Sequence, residues 1–335
     1  MRKALVVAIL LVSPVSGQEK PRRIGSIDFF GYSGWYLDPI RSALPLHEGD
    51  PYPGPAKTKE AVEQAVRSAI RRAPTDVAPV CCDAHGNYII FIGLPGFLNS
   101  PTKYNPVPTG KLQLPPATVA LYDEIMDALS AAVLKGNVEE DRSKGYALST
   151  GDSTLREKQM AARAYATRHE QSIIAVLQRS SEAKQRVVAS FLLGYARQSS
   201  AQIANLVRAS NDADDGVRNN ATRALAVLAE SSPKVAARIP ASPFIKMINS
   251  GSWTDRNKAA WVLSTLTKSR DPKLLAQLRS QAVNSLIEMA RWRTGHAQTA
   301  RIMIGRIGGI PEERLLKLVS AENPEEIIST VILKR

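Results

Sequence analysis

One stretch of the sequence, residues 214–230 (DDGVRNNATRALAVLAE), most constrains the fold. Two acids begin it, where carboxylates cap a helix and favour the positive end of its dipole. Its apolar residues recur at the spacing of one helix face, namely Val217, Ala221, Ala224, Leu225 and Leu228. A single helix cannot bury such a stripe alone, so the chain must supply other helices that pack against it.

Three further stretches repeat this pattern, namely residues 185–196, 255–266 and 296–307. Aligned without gaps, they share an alanine column and a leucine-or-isoleucine column with the first stretch: Ala189, Ala221, Ala259 and Ala300, then Leu193, Leu225, Leu263 and Ile304. The alanines are 32, 38 and 41 residues apart, and insertions at 233–240 and 271–281 explain the two longer periods. This self-similarity predicts a solenoid of stacked helix pairs with both columns in its core.

The string Asp-Asp-Gly-Val-Arg-Asn-Asn-Ala-Thr-Arg-Ala-Leu resembles the second helix of a HEAT repeat, in the short bacterial form also found in phycobilin-lyase-type repeats. The resemblance covers residues 155–318. Arg186 and Arg256 keep the arginine of Arg218, whereas Ala297 takes that column in the last copy. The resemblance implies antiparallel helix pairs and a scaffold or binding role, and it implies no reaction.

Residues 1–17 are predicted to be an export signal. Arg2 and Lys3 are followed by an apolar run over residues 4–12, which is too short to span a bilayer, and small residues precede a cleavage site after Gly17. The alternative is a buried N-terminal helix or strand. We expect a periplasmic or extracellular protein whose mature chain has no transmembrane segment.

Residues 24–94 are predicted to form a small α+β domain with the order β-α-α-β-β. Its predicted elements are a strand from Ile24, helices over 37–44 and 59–73, and strands over 77–82 and 88–92, with Thr58 capping the second helix. Ile-x-Phe-x-Gly at the front and Gly-Asp-Pro-Tyr at residues 49–52 resemble a POTRA domain, and the alternative is a generic α+β module. The POTRA resemblance implies that a strand edge docks another protein.

The remaining chain divides into a linker and the helical repeats. Residues 95–116 are rich in proline and read as a linker. Residues 117–335 form the predicted repeat domain, with helices over 118–134 and 155–169 capping one end and helices over 312–319 and 324–333 capping the other. The predicted fold class is therefore mostly α, with a helical solenoid after a small α+β domain.

The net charge of +13 is concentrated in the repeats. Residues 18–147 carry 14 Lys and Arg against 15 Asp and Glu, whereas residues 148–335 carry 28 against 16. Charge placed in this way indicates an anionic partner rather than a particular fold.

The candidate binding residues are Arg186, Arg218, Asn219, Arg256, Asn257 and Trp292. The arginines occupy one repeat column, and either line a surface for a carboxylate-rich partner or form an internal ladder, because a buried guanidinium must be paired. Trp292 lies between two arginines and either anchors a partner at the surface or packs in the interior. Trp261 lies on the apolar stripe and is predicted to be core.

The sequence contains no recognisable catalytic or metal-binding constellation. Cys81 and Cys82 are the only cysteines, and side chains of adjacent strand residues point to opposite faces, which favours two unpaired thiols. A vicinal disulfide, a metal site and intermolecular pairing stay open as alternatives. The acids at Asp212 and Asp214 lack the glycine and glutamate spacing of an EF-hand. We predict no enzyme activity, no cofactor and no bound metal.

Together these observations predict an exported, non-enzymatic scaffold or adaptor that binds a protein or another acidic partner on a basic helical-repeat surface. Two alternatives belong to other classes. A nucleic-acid-binding HEAT solenoid would use the basic surface for phosphate contacts, although the export signal argues against it. A lyase-type enzyme accessory follows from the phycobilin-lyase resemblance alone.

Overall fold

The computed structural model describes residues 22–96, 103–319 and 323–332. Within them, a small sheet-and-helix unit, here called the module (residues 22–94), precedes a longer stack of helices. The predicted fold class, a helical solenoid after a small α+β domain, is confirmed. The predicted export signal, residues 1–17, lies outside the described residues.

The module has the predicted order of elements. These are β1 (Ile24–Phe30), α1 (Leu37–Ala43), α2 (Pro55–Ile70), β2 (Asp76–Cys81) and β3 (Tyr88–Gly93). The sheet order is β1-β3-β2, with β1 parallel and β2 antiparallel to the central β3. Apolar residues of α2 and of the sheet form a core of their own, among them Ile24, Val62, Val66, Ile90 and Ile92.

The cap predicted for the second helix is wrong. α2 begins at Pro55, after Gly54 with a φ of 95°, so Thr58 lies one turn inside the helix and is buried. Pro55 determines this start, because its ring presets a helical φ and its missing N–H costs nothing in the first turn.

The stack begins with α3 (Pro116–Leu134). A hairpin follows whose strands, β4 (Glu140–Asp141) and β5 (Leu148–Ser149), have two residues each. Twelve helices follow among the described residues: α4 (Ser153–Arg179), α5 (Ala183–Leu193), α6 (Ser200–Ala209), α7 (Asp215–Ser231), α8 (Pro233–Ala236), α9 (Ser242–Ile248), α10 (Trp253–Leu266), α11 (Pro272–Gln281), α12 (Val283–Ala290), α13 (Gln298–Ile307), α14 (Glu312–Val319) and α15 (Glu325–Ile332). Short 3₁₀ turns follow α10 and precede α13.

Four helices form the row that the repeats predict. α5, α7, α10 and α13 pack side by side in chain order, while α6, α9 and α12 pack on the last three of them. All eight residues of the aligned alanine and leucine-or-isoleucine columns have no exposed surface, so their prediction as core is confirmed. The helix predicted to end at His169 does lose its helical backbone there, at φ −119° and ψ 21°. A second helical stretch, which was not predicted, follows this kink and ends at Arg179.

The ends and the insertions of the stack also have defined places. α3 packs against α4, and α14 and α15 pack against α13. The two insertions become α8 and α11. No helix of the described residues is at once long and apolar enough to cross a membrane.

Candidate functional site

Three buried ion pairs connect successive repeats through the arginine column. They join Arg186 to Asp212 at 2.9 Å, Arg218 to Asp255 at 2.8 Å and Arg256 to Glu288 at 3.0 Å. The three arginines are at most 4% exposed. Each also donates to main-chain oxygens of the turn before its own helix, as Arg218 Nη1 does to Asp212 O at 3.0 Å. The pairs therefore hold one repeat's turn to the next repeat.

The expectation that Arg186, Arg218 and Arg256 line an exposed surface for a carboxylate-rich partner is consequently wrong. The first turns of the row helices point into the protein, where the guanidinium groups must find carboxylates because desolvation of an unpaired charge is costly. The ladder interpretation describes them correctly. Asn219 and Asn257 are only partly buried, and Asn219 Oδ1 accepts a hydrogen bond from Thr254 Oγ1 at 2.9 Å.

The expectations for the two tryptophans also need correction. Trp292 is 1% exposed, and its Nε1 donates to Phe29 O at 3.0 Å. It is buried because the module covers it. Trp261 is only partly buried instead, and its Nε1 donates to Glu230 Oε1 at 2.6 Å while the Arg142 guanidinium lies over its ring.

The module packs on the later repeats through aromatic rings and buried carboxylates. Phe91 of β3 stacks on Trp253, with ring centroids 5.1 Å apart, and lies 4.8 Å from Trp292. Asp76 Oδ2 accepts the N–H of Trp253 at 2.8 Å. Burial raises the pKa of the Asp76 carboxyl, although this backbone hydrogen bond acts in the opposite direction. The same balance holds at Asp28, where burial raises the carboxyl pKa although Arg293 lowers it.

Besides the module, a second part of the chain packs against the N-terminal ends of the row helices α5 and α7. Residues 103–115, within the predicted linker and here called the extended segment, run from the turn before α7 to the start of α5. Tyr104 lies against Arg218 and Asp255 of the ladder, and Asn105 N donates to Asn211 O at 2.8 Å. The module and this segment together cover the edge on which the arginine ladder lies.

The cysteine pair differs from the favoured expectation of two unpaired thiols. Cys81 and Cys82 form a vicinal disulfide across a cis peptide bond at the end of β2. Arg22 Nη1 lies 3.1 Å from both sulfur atoms. Among residues 22–96, 103–319 and 323–332, no group of three or more His, Cys, Asp or Glu side chains is arranged to hold a metal ion.

The opposite ends of the row helices carry an open cavity of about 780 Å³. The last turns of α7 and α10 line it, together with the two insertions, so it lies about 18 Å from the ladder when measured along α7 from Arg218 to Glu230. Its wall is largely apolar and includes Ala229, Ala236, Ile239, Leu266 and Leu274. Neither the module nor the extended segment contributes to its lining.

The acids and the lysines of this cavity differ in how they are paired. Glu230 accepts from Trp261 and, at 3.2 Å, from Arg142, while Asp271 Oδ1 caps α11 by accepting the N–H of Lys273 at 3.0 Å. Lys268 and Lys273 line the cavity, and no carboxylate of the described residues forms an ion pair with either ammonium. Arg142 offsets the charge of Glu230, whereas a backbone N–H does not neutralise Asp271. The two lysines therefore outweigh the one carboxylate without a cationic partner, and the balance at the cavity is slightly positive.

The sequence interpretation missed the acceptors of the ladder and the cavity. A signal for the acceptors exists, since Asp255 opens one aligned stretch and Asp212 precedes another. The spacing around Asp212 excludes a calcium loop and does not indicate its role, which is to accept hydrogen bonds from Nε and Nη2 of Arg186, each at 2.9 Å. The cavity has no comparable signal, because helix ends from two repeats and two insertions create it together.

Comparisons with known proteins bear on the fold alone. No protein-family model matches the sequence. No curated protein matches it either. Among solved structures, the designed armadillo repeat protein YIII(Dq.V1)4CPAF in complex with the peptide (KR)4 is 18% identical, over 65% of this chain and 98% of that chain, with a TM-score of 0.37. The designed armadillo repeat protein YIII(Dq)4CqI is 16% identical, over 57% of this chain and 97% of that chain, with a TM-score of 0.35.

Proposed function

We propose that the protein is an exported, non-enzymatic scaffold that binds a partner protein at the open cavity, through an acidic and partly apolar segment of that partner. The observation that carries this proposal is the charge state of the cavity. Glu230 is paired with Arg142 and Asp271 accepts a backbone N–H, whereas neither lysine has a carboxylate partner among the described residues. An apolar wall with a few charged groups is the composition of a typical ligand site.

The positions of the two lysines refine the expected ligand. Lys268 follows the C-terminal end of α10, where its charge offsets the negative end of that helix dipole. Lys273 lies in the first turn of α11, where its charge adds to the positive end. The Asp271 cap offsets that positive end, so neither side of the cavity is the more positive one. We therefore expect a partner carboxylate near the two lysines, with apolar partner side chains against Leu266 and Leu274.

Fluorescence anisotropy with two labelled peptides tests this function. One peptide contains (Glu-Leu)₃ and the other (Gln-Leu)₃, both flanked by Ser-Gly. We expect the full chain to bind the acidic peptide more tightly, and the affinity to fall with rising salt as screening shortens to about 8 Å at physiological ionic strength. Equal binding of both peptides, or binding independent of salt, would contradict an anionic partner.

A pair of matched variants locates the binding. Lys268→Glu/Lys273→Glu is expected to weaken binding of the acidic peptide at least about tenfold, which corresponds to about 1.4 kcal/mol. Lys57→Glu/Lys135→Glu changes the net charge equally at exposed positions outside the cavity, so it is expected to leave the affinity within about twofold. Similar losses in both variants would mean that net charge alone attracts the peptide.

The repeats are proposed to be HEAT-like on the residues 214–225 that carry the resemblance, and the module is proposed to be POTRA-like on its order of elements. Export is tested by fractionating cells and sequencing the N-terminus of the recovered protein, which we expect to begin at Gln18. The nucleic-acid alternative loses its best phosphate ligands, because Arg186, Arg218 and Arg256 are engaged inside the protein.

A further inference from the structure

The extended segment, residues 103–115 (KYNPVPTGKLQLP), contacts the row helices in the manner of a bound peptide. We propose that the surface beneath it is a second polypeptide-binding groove, separate from the cavity. The chain's own segment is its resident occupant, and the groove accepts an extended partner segment of the same chemistry. That chemistry is a Tyr–Asn pair, a glycine five residues after the asparagine and a leucine four residues later.

The tyrosine anchor uses the ladder itself. The Arg218 guanidinium lies over the Tyr104 ring, 4.1 Å from its centroid, and Tyr104 Oη donates to Asp255 Oδ2 at 3.3 Å. A cation held against an aromatic face is attracted by the ring quadrupole, and more strongly where water is excluded. One side chain of the segment thus satisfies both members of a single Arg–Asp pair.

The asparagine anchor is a set of hydrogen bonds between Asn211 and the residues on both sides of Tyr104. Asn211 Nδ2 donates to Lys103 O at 3.3 Å and to Asn105 Oδ1 at 3.1 Å. Asn105 returns two hydrogen bonds, from its backbone N–H to Asn211 O at 2.8 Å and from Nδ2 to Arg208 O at 2.9 Å. This reciprocal set fixes the register of the segment on the turn between α6 and α7.

The glycine anchor is a close approach of two backbones. Gly110 forms a parallel bridge with Ser180, and Ser181 N donates to Gly110 O at 2.7 Å. A Cβ atom at residue 110 would lie 2.5 Å from Arg179 O, which is closer than a methyl group and a backbone oxygen can approach. Only glycine therefore fits this position of the segment.

The leucine anchor completes the contact at the start of α5. Leu114 N donates to Gln185 Oε1 at 2.8 Å, and the Leu114 side chain is 4% exposed. Between the anchors, Pro106 and Pro108 restrict the backbone to extended conformations, which lowers the entropy lost on binding. Main-chain hydrogen bonds with a few side-chain pockets are the usual means of recognising an extended peptide.

The resident segment must be displaced before the groove can be tested, because a tethered ligand acts at an effective concentration in the millimolar range. Tyr104→Ala/Gly110→Ala in the full chain is the released variant, since it removes the tyrosine anchor and adds the methyl group that clashes with Arg179 O. Tyr36→Ala/Gly295→Ala is its matched control, because Tyr36 is 90% exposed and a Cβ at residue 295 meets no atom within 4 Å.

The probe is a fluorescein-labelled peptide of residues 103–115, measured by anisotropy. We expect saturable binding to the released variant, and binding at least about tenfold weaker to the wild type and the control, whose grooves are occupied. The same peptide with alanine at the position of Gly110 is expected to bind the released variant at least about tenfold more weakly. Asn211→Ala, added to the released variant, is expected to weaken binding of the unmodified peptide.

Hydrogen exchange supplies a second readout on the protein side. The Ser181 amide is expected to exchange faster in the released variant and to regain protection when the peptide is added. A released variant with wild-type circular dichroism that does not bind the peptide would overturn the proposal, as would equal binding of the alanine peptide. A released variant that dimerises and ignores the peptide would assign the groove to a second copy of this chain and would also overturn it. If the double variant does not fold, Gly110→Ala alone carries the same expectations.

Discussion

Arg256 Nη1 donates to Glu288 Oε2 at 3.0 Å, and the same carboxylate oxygen accepts the N–H of Gly31 at 2.7 Å. One buried acid thus joins two repeats of the stack to the module. Arg256 is fully buried and Glu288 nearly so, so neither charge is solvated once its partner is removed. The Arg256–Glu288 pair, the last of the arginine ladder, therefore also attaches the N-terminal module to the stack.

Removing this arginine is expected to destabilise the whole chain. Arg256→Met leaves Glu288 buried beside a backbone N–H alone, so we expect a loss of about 3–5 kcal/mol in the free energy of unfolding, measured in urea. Arg314→Met, in the exposed pair with Glu326, is the control and is expected to cost less than about 1 kcal/mol. Charge reversal at Arg218 and Arg256 together is expected to prevent folding. A reversed double variant with a wild-type melting temperature would contradict the ladder.

The docking of the module depends on Trp292. Trp292→Ala removes an indole packed against Phe30 and Phe91 and leaves Phe29 O without its donor, so we expect a loss of about 3–5 kcal/mol. Hydrogen exchange is expected to rise at the Gly31 amide, which lies at the same interface. Trp261→Ala, at a partly exposed ring, is the control, and a loss there as large as at Trp292 would contradict this assignment of the buried ring.

The leucine-or-isoleucine column tests the core of the stack. Leu225 has no exposed surface, and Leu225→Ala is expected to cost about 2–5 kcal/mol because the packed row cannot close the cavity that results. Leu316→Ala, at a side chain that is 59% exposed, is expected to change the free energy of unfolding by less than about 0.5 kcal/mol. Urea denaturation of both variants measures the difference, and equal losses would be incompatible with the alignment of the repeats.

Acid sensitivity is expected from His296. Its ring lies edge-on to Phe91 and Trp253, and burial, with a smaller contribution from Lys258, lowers its pKa from 6.5 to about 4. The unfolded chain therefore binds a proton that the folded chain does not, so stability falls as the pH drops below about 6.5 and the loss is complete below about 4. The full effect is about 3 kcal/mol at most.

The variant His296→Gln isolates this contribution. We expect its free energy of unfolding, measured in urea at pH 7.5 and at pH 5, to fall less over this interval than that of the wild type. The carboxyl groups of the protein are present in both chains, so the difference between the two chains reports on this histidine. Parallel pH profiles would show that the neutral imidazole is not required by the fold.

The sequence by itself determined the parts of the structure that depend on short-range periodicity. Helical residues three and four positions apart share a face, so the recurring alanine and leucine-or-isoleucine columns identified the row helices and their buried side chains. The order of elements in the module followed from equally local patterns. Even so, α2 begins at Pro55 and not at Lys59 after a Thr58 cap, because a proline in the first turn and a polar cap give competing signals.

Only the tertiary structure decided where the column arginines and Trp292 lie. The acceptor of Arg218 is 37 residues away, and Phe29 O is 263 residues from the indole that donates to it. Arginines on both sides of Trp292 indicate an exposed site, yet the module covers the ring. The cavity and the groove likewise require helix ends and loops from different repeats. Such contacts depend on packing between distant parts of the chain, and no periodicity along the sequence encodes them.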